Sequence, residues 1–452
     1  MAGWHWPILR GLLGLAVRRE CSGNPGGLWT AEPSRLAGDP IPGSDDNDVT
    51  RFFIHDYAGH PFQSQLSREL ASRGNEVLHV SFAGFQTPKG QLELKPGDPS
   101  TLAFAAVTID EPFDKHSFVH RLLQERDIAR RTARLVRTFG PDIVISANAP
   151  LDVQAALCHE TQRLDAAFLF WIQDVYSVAI RRTLSQRLGL AGRIAAYRFE
   201  RLEASTLRKS DEVIAITDDF LPLLGEWGVR RDHIDVIENW APLDAVMPLP
   251  RNSAWAHEQG LVGQQVYLYA GTLGLKHDPS LLADLARRDT DSTVVVVSEG
   301  PGANWLRDCA MAPNLLILPF QPFERMSEVL AAGDVLVAIL EPEAGAFSVP
   351  SKVLTSLAAG RPILAAIPGE NLAARTIRRA NAGVVVDPGD REAFMREGIA
   401  LMRDEQRRLA AGTAGRRYAE IAFDISMIAD RFVAAAARAR FSRRGVGAGI
   451  TS

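Results

Sequence analysis

Two passages in the C-terminal half combine residue types that bind phosphate. The first is Ser348-Val349-Pro350-Ser351-Lys352-Val353-Leu354-Thr355, where a loop of small residues turns into a helical pattern that Gly360 closes. Free N–H groups at such a helix start attract anions, and Ser351 and Lys352 add a hydroxyl and an ammonium. The second is Tyr269-Ala270-Gly271-Thr272-Leu273-Gly274-Leu275-Lys276-His277, a strand ending in two glycines that admit a ligand close to the backbone. Lysine is scarce in this chain: six of 50 basic residues, and beyond residue 209 only Lys276 and Lys352. Two cations at the ends of two parallel strands suit one pyrophosphate. Taken singly, each passage also fits something plainer, a capped crossover helix with a solvated lysine or a glycine turn after a strand.

In the N-terminal half, Gly59-His60 falls between the first strand and its helix, where His60 could act as acid, base or hydrogen-bond donor, or be structural. Trp171-Ile172-Gln173-Asp174-Val175-Tyr176 ends another strand and places Gln173 and Asp174 at a rim. Asp174 fits a helix cap as well. Ser298-Glu299-Gly300-Pro301-Gly302 lacks the third glycine of a dinucleotide fingerprint, so a nicotinamide or flavin cofactor is not expected. Asp289-Thr290-Asp291 precedes a strand and reads as a surface turn at the end away from a cleft, not a metal site. Cys21, Cys158 and Cys309 are too scattered for a metal site or a disulfide framework, which points to a reducing compartment.

The elements that position these residues alternate. Strand-like runs at 51–54, 76–80, 143–146, 167–172, 212–216 and 234–237 are separated by helical stretches at 62–73, 151–163 and 218–227. Residues 238–250 read as a proline-containing linker. A second series follows at 266–270, 293–297, 315–318, 335–339, 362–366 and 383–386, and the chain is mostly helical after 390. Short apolar strands alternating with helices predict an α/β protein of two doubly wound, Rossmann-like domains facing a cleft, with ligands at the carboxyl ends of the strands. The expected division is a poorly ordered leader at 1–49, an N-terminal domain at 50–240, a C-terminal domain at 241–420 and a last helix with tail at 421–452.

With 452 residues, 46% apolar content and a net charge of −4, the chain is neither disordered nor a dedicated nucleic-acid binder. No apolar run is long enough to span a bilayer, and Arg10 interrupts the apolar N-terminus with no basic residue before it, against export. A cytoplasmic location is expected. Residues 119–136 form an amphipathic pattern carrying Arg121, Arg126, Arg130, Arg131 and Arg134. It fits a helix on an anionic membrane surface or a solvated helix covering a sheet.

These motifs resemble the GT-B family-4 retaining glycosyltransferases over about residues 51 to 435, and more narrowly the fucosamine-transferase-like group of bacterial O-antigen and exopolysaccharide synthesis. The resemblance rests on Ala58-Gly59, Gln173-Asp174, Val236-Ile237-Glu238-Asn239-Trp240, Gly271-Thr272-Leu273-Gly274, Glu299-Gly300-Pro301 and Ser348-Val349-Pro350-Ser351-Lys352. It implies transfer from a nucleotide-diphosphate sugar to a hydroxyl of a sugar or lipid-linked acceptor, with retention and without a metal or other cofactor, in the cytoplasm or at the inner face of the plasma membrane. Gly271, Lys276 and Lys352 would hold the diphosphate with help from Ser351, and Glu299, Phe320 and Gln321 would lie near the nucleoside. Thr272, Gly300, Ser348 and Thr355 complete the expected donor site. Gly59 and Gln173 are expected on the acceptor side, and Lys276, Lys352, His60 and Asp174 form the expected catalytic set. The chain departs from the family where two glutamates eight apart become Phe347 and Thr355, at Thr272 where arginine is common, and at Gln173 where histidine is common. A nucleotide-sugar 2-epimerase of the same architecture and a non-catalytic sugar-nucleotide-binding protein are the alternatives.

Overall fold

A computed structural model describes residues 49–448 except 85–88, 114–117, 275–276, 310–311, 343–344 and 346–347. The leader read from the sequence therefore lies almost wholly outside the described residues, as do Lys276 and Phe347.

The first half runs β1 (Arg51–Asp56), α1 (Pro61–Ser72), β2 (Glu76–Phe82), β3 (Leu102–Val107), α2 (Phe118–Phe139), β4 (Ile143–Ala147), α3 (Leu151–Arg163), β5 (Ala167–Ile172), α4 (Tyr176–Lys209), β6 (Glu212–Ala215), α5 (Leu221–Glu226) and β7 (Ile234–Val236). All the pairings are parallel, in the order β3-β2-β1-β4-β5-β6-β7. The central strands are buried on both faces, which is why they read as continuous apolar runs instead of alternating ones.

The second half runs α6 (Ala254–Glu258), β8 (Gln265–Ala270), α7 (Ser280–Arg288), β9 (Ser292–Val297), α8 (Pro301–Cys309), β10 (Leu315–Leu318), α9 (Met326–Ala331), β11 (Val335–Ile339), α10 (Lys352–Ala358), β12 (Ile363–Ala366), α11 (Leu372–Arg379) and β13 (Gly383–Val386). The order β10-β9-β8-β11-β12-β13 repeats the winding of the first sheet. In each sheet the strand order reverses once, between β1 and β4 and between β8 and β11. A crevice opens at the carboxyl ends of such a pair because its crossovers leave toward opposite faces.

Three helices close the chain: α12 (Arg391–Arg403), α13 (Glu405–Ala422) and α14 (Ile425–Ala448). α14 lies on the first domain. Phe432 meets Trp171 of β5 edge-on at 4.7 Å, and Arg438 pairs with the buried Glu212 at 2.7 Å. Trp171 stacks on Trp240 at 5.8 Å, and Phe62 of α1 packs against both. This aromatic cluster ties the interdomain segment to the end of the first sheet, and its buried area makes it a strong local contribution to stability.

One expectation is corrected here. Asp289 is not a surface turn residue. It is 3% exposed and accepts hydrogen bonds from Tyr267 and Ser292 and an ion pair from Arg403. It joins β8, β9 and α12 at the end of the sheet away from the cleft, so a buried carboxylate with three donors replaces a solvated one.

Candidate functional site

The carboxyl ends of both sheets line one cleft of about 360 Å³. On the C-terminal side, β8 is followed directly by Gly271, whose φ of +128° suits glycine, and a Cβ there would lie 3.4 Å from Lys352 Cε. Lys352, the first residue of α10, points its ammonium back at this strand end. Its Nζ donates to the Tyr269 hydroxyl at 2.5 Å and lies 4.2 Å from the centroid of that ring. The same hydroxyl donates to the Thr272 carbonyl at 3.0 Å. His277 Nδ1 accepts from the Gly274 N–H at 3.1 Å, so a neutral His277 holds its proton on Nε2, 3.5 Å from Lys352 Nζ. Burial pushes the Lys352 pKa down to about 7. An entering phosphate would favour the charged form and draw that value upward.

Thr272, Ser348, Ser351 and Thr355 also line the cleft, as do Phe320 and Gln321. Gln321 is already held, its Oε1 accepting from Trp255 and its Nε2 donating to the Pro319 carbonyl. Glu299 and Gly300 are not among the lining residues. They form the loop that opens α8, where Gly302 N–H donates to the Leu273 carbonyl at 2.9 Å and braces the glycine turn from behind.

The N-terminal side is built on a buried acid. Asp56, the last residue of β1, is fully enclosed. Its Oδ1 accepts from the Gly59 N–H at 2.9 Å and lies 3.2 Å from His60 Nδ1. Burial alone would raise its pKa, but His60, His79 and the Gly59 N–H together hold it below the usual carboxylate value. His60 itself lines the cleft. Behind it, His79 Nδ1 bonds Ser67 Oγ at 2.8 Å and its Nε2 sits 3.9 Å from Asp56 Oδ2, while His55 Nδ1 bonds Ser146 Oγ at 2.9 Å. Burial pushes both of these histidines down to about 4. Gly59 does not line the cleft. Its N–H orients Asp56 instead.

Gln173 and Asp174 stand at the end of β5 on the cleft wall, beside Asn148 after β4 and Asn239 after β7. Gln173 is 8% exposed. Its Oε1 accepts from Asn239 at 3.2 Å, while its Nε2 and the Asn239 Oδ1 are buried without hydrogen-bond partners. Unmet polar atoms beside a cleft are what a hydroxylated ligand would satisfy. Asp56 and Asn148 are absent from the sequence reading, and Asn239 and Tyr269 enter it only as members of longer motifs, with no role of their own. The available signals were a charge closing the apolar run Phe52-Phe53-Ile54-His55-Asp56, and an asparagine before Ala149-Pro150 that takes φ +51°.

Two family models match the chain: a glycosyl transferase 4-like domain at residues 60–240 and glycosyl transferases group 1 at 270–404. WcaI of Escherichia coli (strain K12), assigned as a glycosyl transferase of colanic acid biosynthesis, is 24% identical over 266 residues, 54% of this chain. The match spans 63% of that relative, less than two thirds of its length. Among solved structures, sucrose-phosphate synthase of Thermosynechococcus elongatus superimposes with a TM-score of 0.64 at 14% identity, over 88% of this chain and 100% of that one. HepE of Anabaena, solved with UDP and glucose, gives a TM-score of 0.64 at 15% identity, over 85% and 98%. At these identities the structures establish the fold alone. The two matched domains together take in most of the chain, and it belongs to the glycosyltransferases of GT-B fold.

Proposed function

We propose that the protein moves a sugar from a nucleotide-diphosphate sugar, held by the C-terminal domain, to an acceptor hydroxyl presented by the N-terminal domain. The observation that carries this reading is the Lys352 corner. A half-buried amine stands on an aromatic hydroxyl beside a glycine strand end, in the same cleft as His60, Gln173 and Asp174. As the bond to the sugar breaks, negative charge grows on the departing diphosphate. A preorganised ammonium stabilises that charge more than it stabilises the bound donor. Lys276 serves as the second cation in this reading, and Ser351 and Thr355 as hydroxyl donors.

On the other wall, Asp56 holds His60 by Nδ1 and leaves the second ring nitrogen to meet the acceptor hydroxyl. This is the arrangement by which a carboxylate orients an imidazole for proton exchange. Gln173 and Asp174 bind the acceptor's other hydroxyls. Retention, independence of a metal and the fucosamine-like subgroup follow from the sequence resemblance. The likeness to a colanic acid enzyme supports a surface polysaccharide or glycolipid as product, made in the cytoplasm or at the inner membrane face.

Nucleotide release from a panel of nucleotide sugars, with and without polyprenyl-linked and free sugar acceptors, tests the reading. Acceptor-dependent release with a new glycosidic bond supports it, and the anomeric proton coupling of the product settles retention. Conversion of the donor to its C2 epimer without an acceptor would assign the epimerase alternative, and binding without turnover the non-catalytic one.

A further inference from the structure

Tyr176–Lys209 is a folded-back pair of helical arms, not one rod. In a straight helix, residues 27 apart would lie about 40 Å from each other. Here the Tyr176 N–H donates to Glu203 Oε1 at 3.1 Å, the Ser177 N–H to Glu203 Oε2 at 2.8 Å, and Arg181 reaches Glu200 at 3.4 Å. The bend is at Gly189, where the backbone leaves helical geometry. The arms cross closely enough that a Cβ at Gly192 would sit 2.0 Å from the Leu184 carbonyl oxygen.

The returning arm has two faces. At about 100° per residue, Gly192, Ala196 and Glu203 share the side turned to the protein, and all three are buried. Leu190, Ile194 and Tyr197 share the opposite side and are 70%, 69% and 57% exposed. Arg193 and Arg198 border this apolar stripe on its two sides, and Arg201 continues it with its guanidinium 5.7 Å from the Tyr197 ring centroid. Over the whole element there are eight basic residues and two acidic ones, of which Glu203 is buried. An apolar stripe with a tyrosine, bordered by long cationic side chains, suits the boundary between headgroups and acyl chains of an anionic bilayer. The arginine-bearing α2 differs: Arg121 pairs with Glu125, Arg131 with Asp127 and Asp110, and Arg137 with Glu160.

We propose that the tip of this helical hairpin, centred on Leu190, Ile194 and Tyr197, docks the protein on anionic phospholipid. The base of the hairpin adjoins the cleft. Asp174 lines it two residues before the helix starts, and the Tyr176 hydroxyl donates to Asn148, another lining residue, at 2.9 Å. Leu190 lies 14 residues farther, about 20 Å along the arm. Docking at the tip therefore holds the acceptor side of the cleft near the bilayer. This rests on the proposed transferase reading only for its purpose, because lipid binding is measured without turnover.

The test is sedimentation of the full chain with vesicles of phosphatidylglycerol and phosphatidylcholine, against phosphatidylcholine alone. Binding to the anionic vesicles is expected, weakened by salt. The triple variant Leu190→Ser, Ile194→Ser, Tyr197→Ser should lose at least tenfold in partitioning with its melting temperature preserved, and each of Arg193→Ser and Arg198→Ser roughly fivefold. Arg130→Ser with Arg134→Ser in α2 should change partitioning less than twofold. A Tyr197→Trp reporter should shift its emission to the blue on anionic vesicles. Undiminished binding of the triple variant, equal binding to neutral vesicles at every salt concentration, or a dimer that this variant abolishes without any vesicle binding would each overturn the proposal. Nucleotide release in detergent solution judges the transferase reading separately.

Discussion

The two walls of the cleft solve opposite electrostatic problems. On the C-terminal wall a cation is half-buried against a tyrosine and a histidine, and burial lowers its pKa to about 7. On the N-terminal wall an anion, Asp56, is fully buried among His55, His60 and His79 and keeps its charge. The first faces the open cleft, whereas the second is held within the protein through Oδ1 by the Gly59 N–H and His60, its Oδ2 buried without a hydrogen-bond partner. The difference separates a group poised to bind from a group built to orient. In the proposed function Lys352 meets the ligand directly, and Asp56 acts through the imidazole it holds.

The largest effect that sharpens this contrast is acid instability on the N-terminal wall. His55 and His79 have folded pKa values near 4 against 6.5 when unfolded. The unfolded chain binds more protons at these two sites between those values, so their contribution to stability falls as pH drops from 6.5 toward 4 and is constant above that window. Each histidine contributes up to roughly 3 kcal/mol. Urea titrations at pH 7.5 and 4.5 measure this, and His79→Gln should remove that residue's share of the dependence while leaving the share of His55.

Next is the cation. Lys352→Ala should lower kcat about ten- to a hundredfold with a smaller change in donor KM, matching roughly 1.5–3 kcal/mol for a charge-assisted hydrogen bond to the leaving group. Lys352→Arg should rescue only in part, because a planar fork does not replace a compact ammonium. Unchanged steady-state kinetics in the alanine variant would break the comparison on this side.

A third measurement joins the two walls through pH. If a diphosphate binds beside Lys352 as proposed, it raises the pKa of that amine, and the complex then binds more protons than the free protein above pH 7. Affinity for UDP, as a first probe, should then fall as pH rises above about 7, by at most tenfold per unit. Calorimetry in buffers of different ionisation enthalpy reports the proton taken up, and Lys352→Arg should remove it. His60→Ala should leave that affinity intact and lower acceptor turnover about tenfold or more. The smallest expected effect is that of a chelator, which should leave the rate unchanged if lysines neutralise the diphosphate.

Much of this molecule was legible in order along the chain. The strands of both sheets other than β3 stand where apolar runs lie between turn signals, because strands covered on both faces need uninterrupted apolar sequence. β3, Leu-Ala-Phe-Ala-Ala-Val, escaped notice because its alanines carry little strand signal and the strand lies at the sheet edge. The hairpin of Tyr176–Lys209 gives little sequence signal, since its arms meet closely at Gly192 and the returning arm turns Leu190, Ile194 and Tyr197 outward.

By itself the sequence determined the alternation of strands and helices and the placing of lysines and glycines after strand ends. Those are local properties, carried by residue type, periodicity and spacing. Only the tertiary structure decided that Lys352 lies on Tyr269, that Asp56 orients His60 while Gly59 turns to Asp56, that Glu299 and Gly300 do not line the cleft, and that Leu190, Ile194 and Tyr197 face outward. Each of these depends on contacts between residues distant in the chain, whose distances and burial arise only when both sheets and their crossovers are in place.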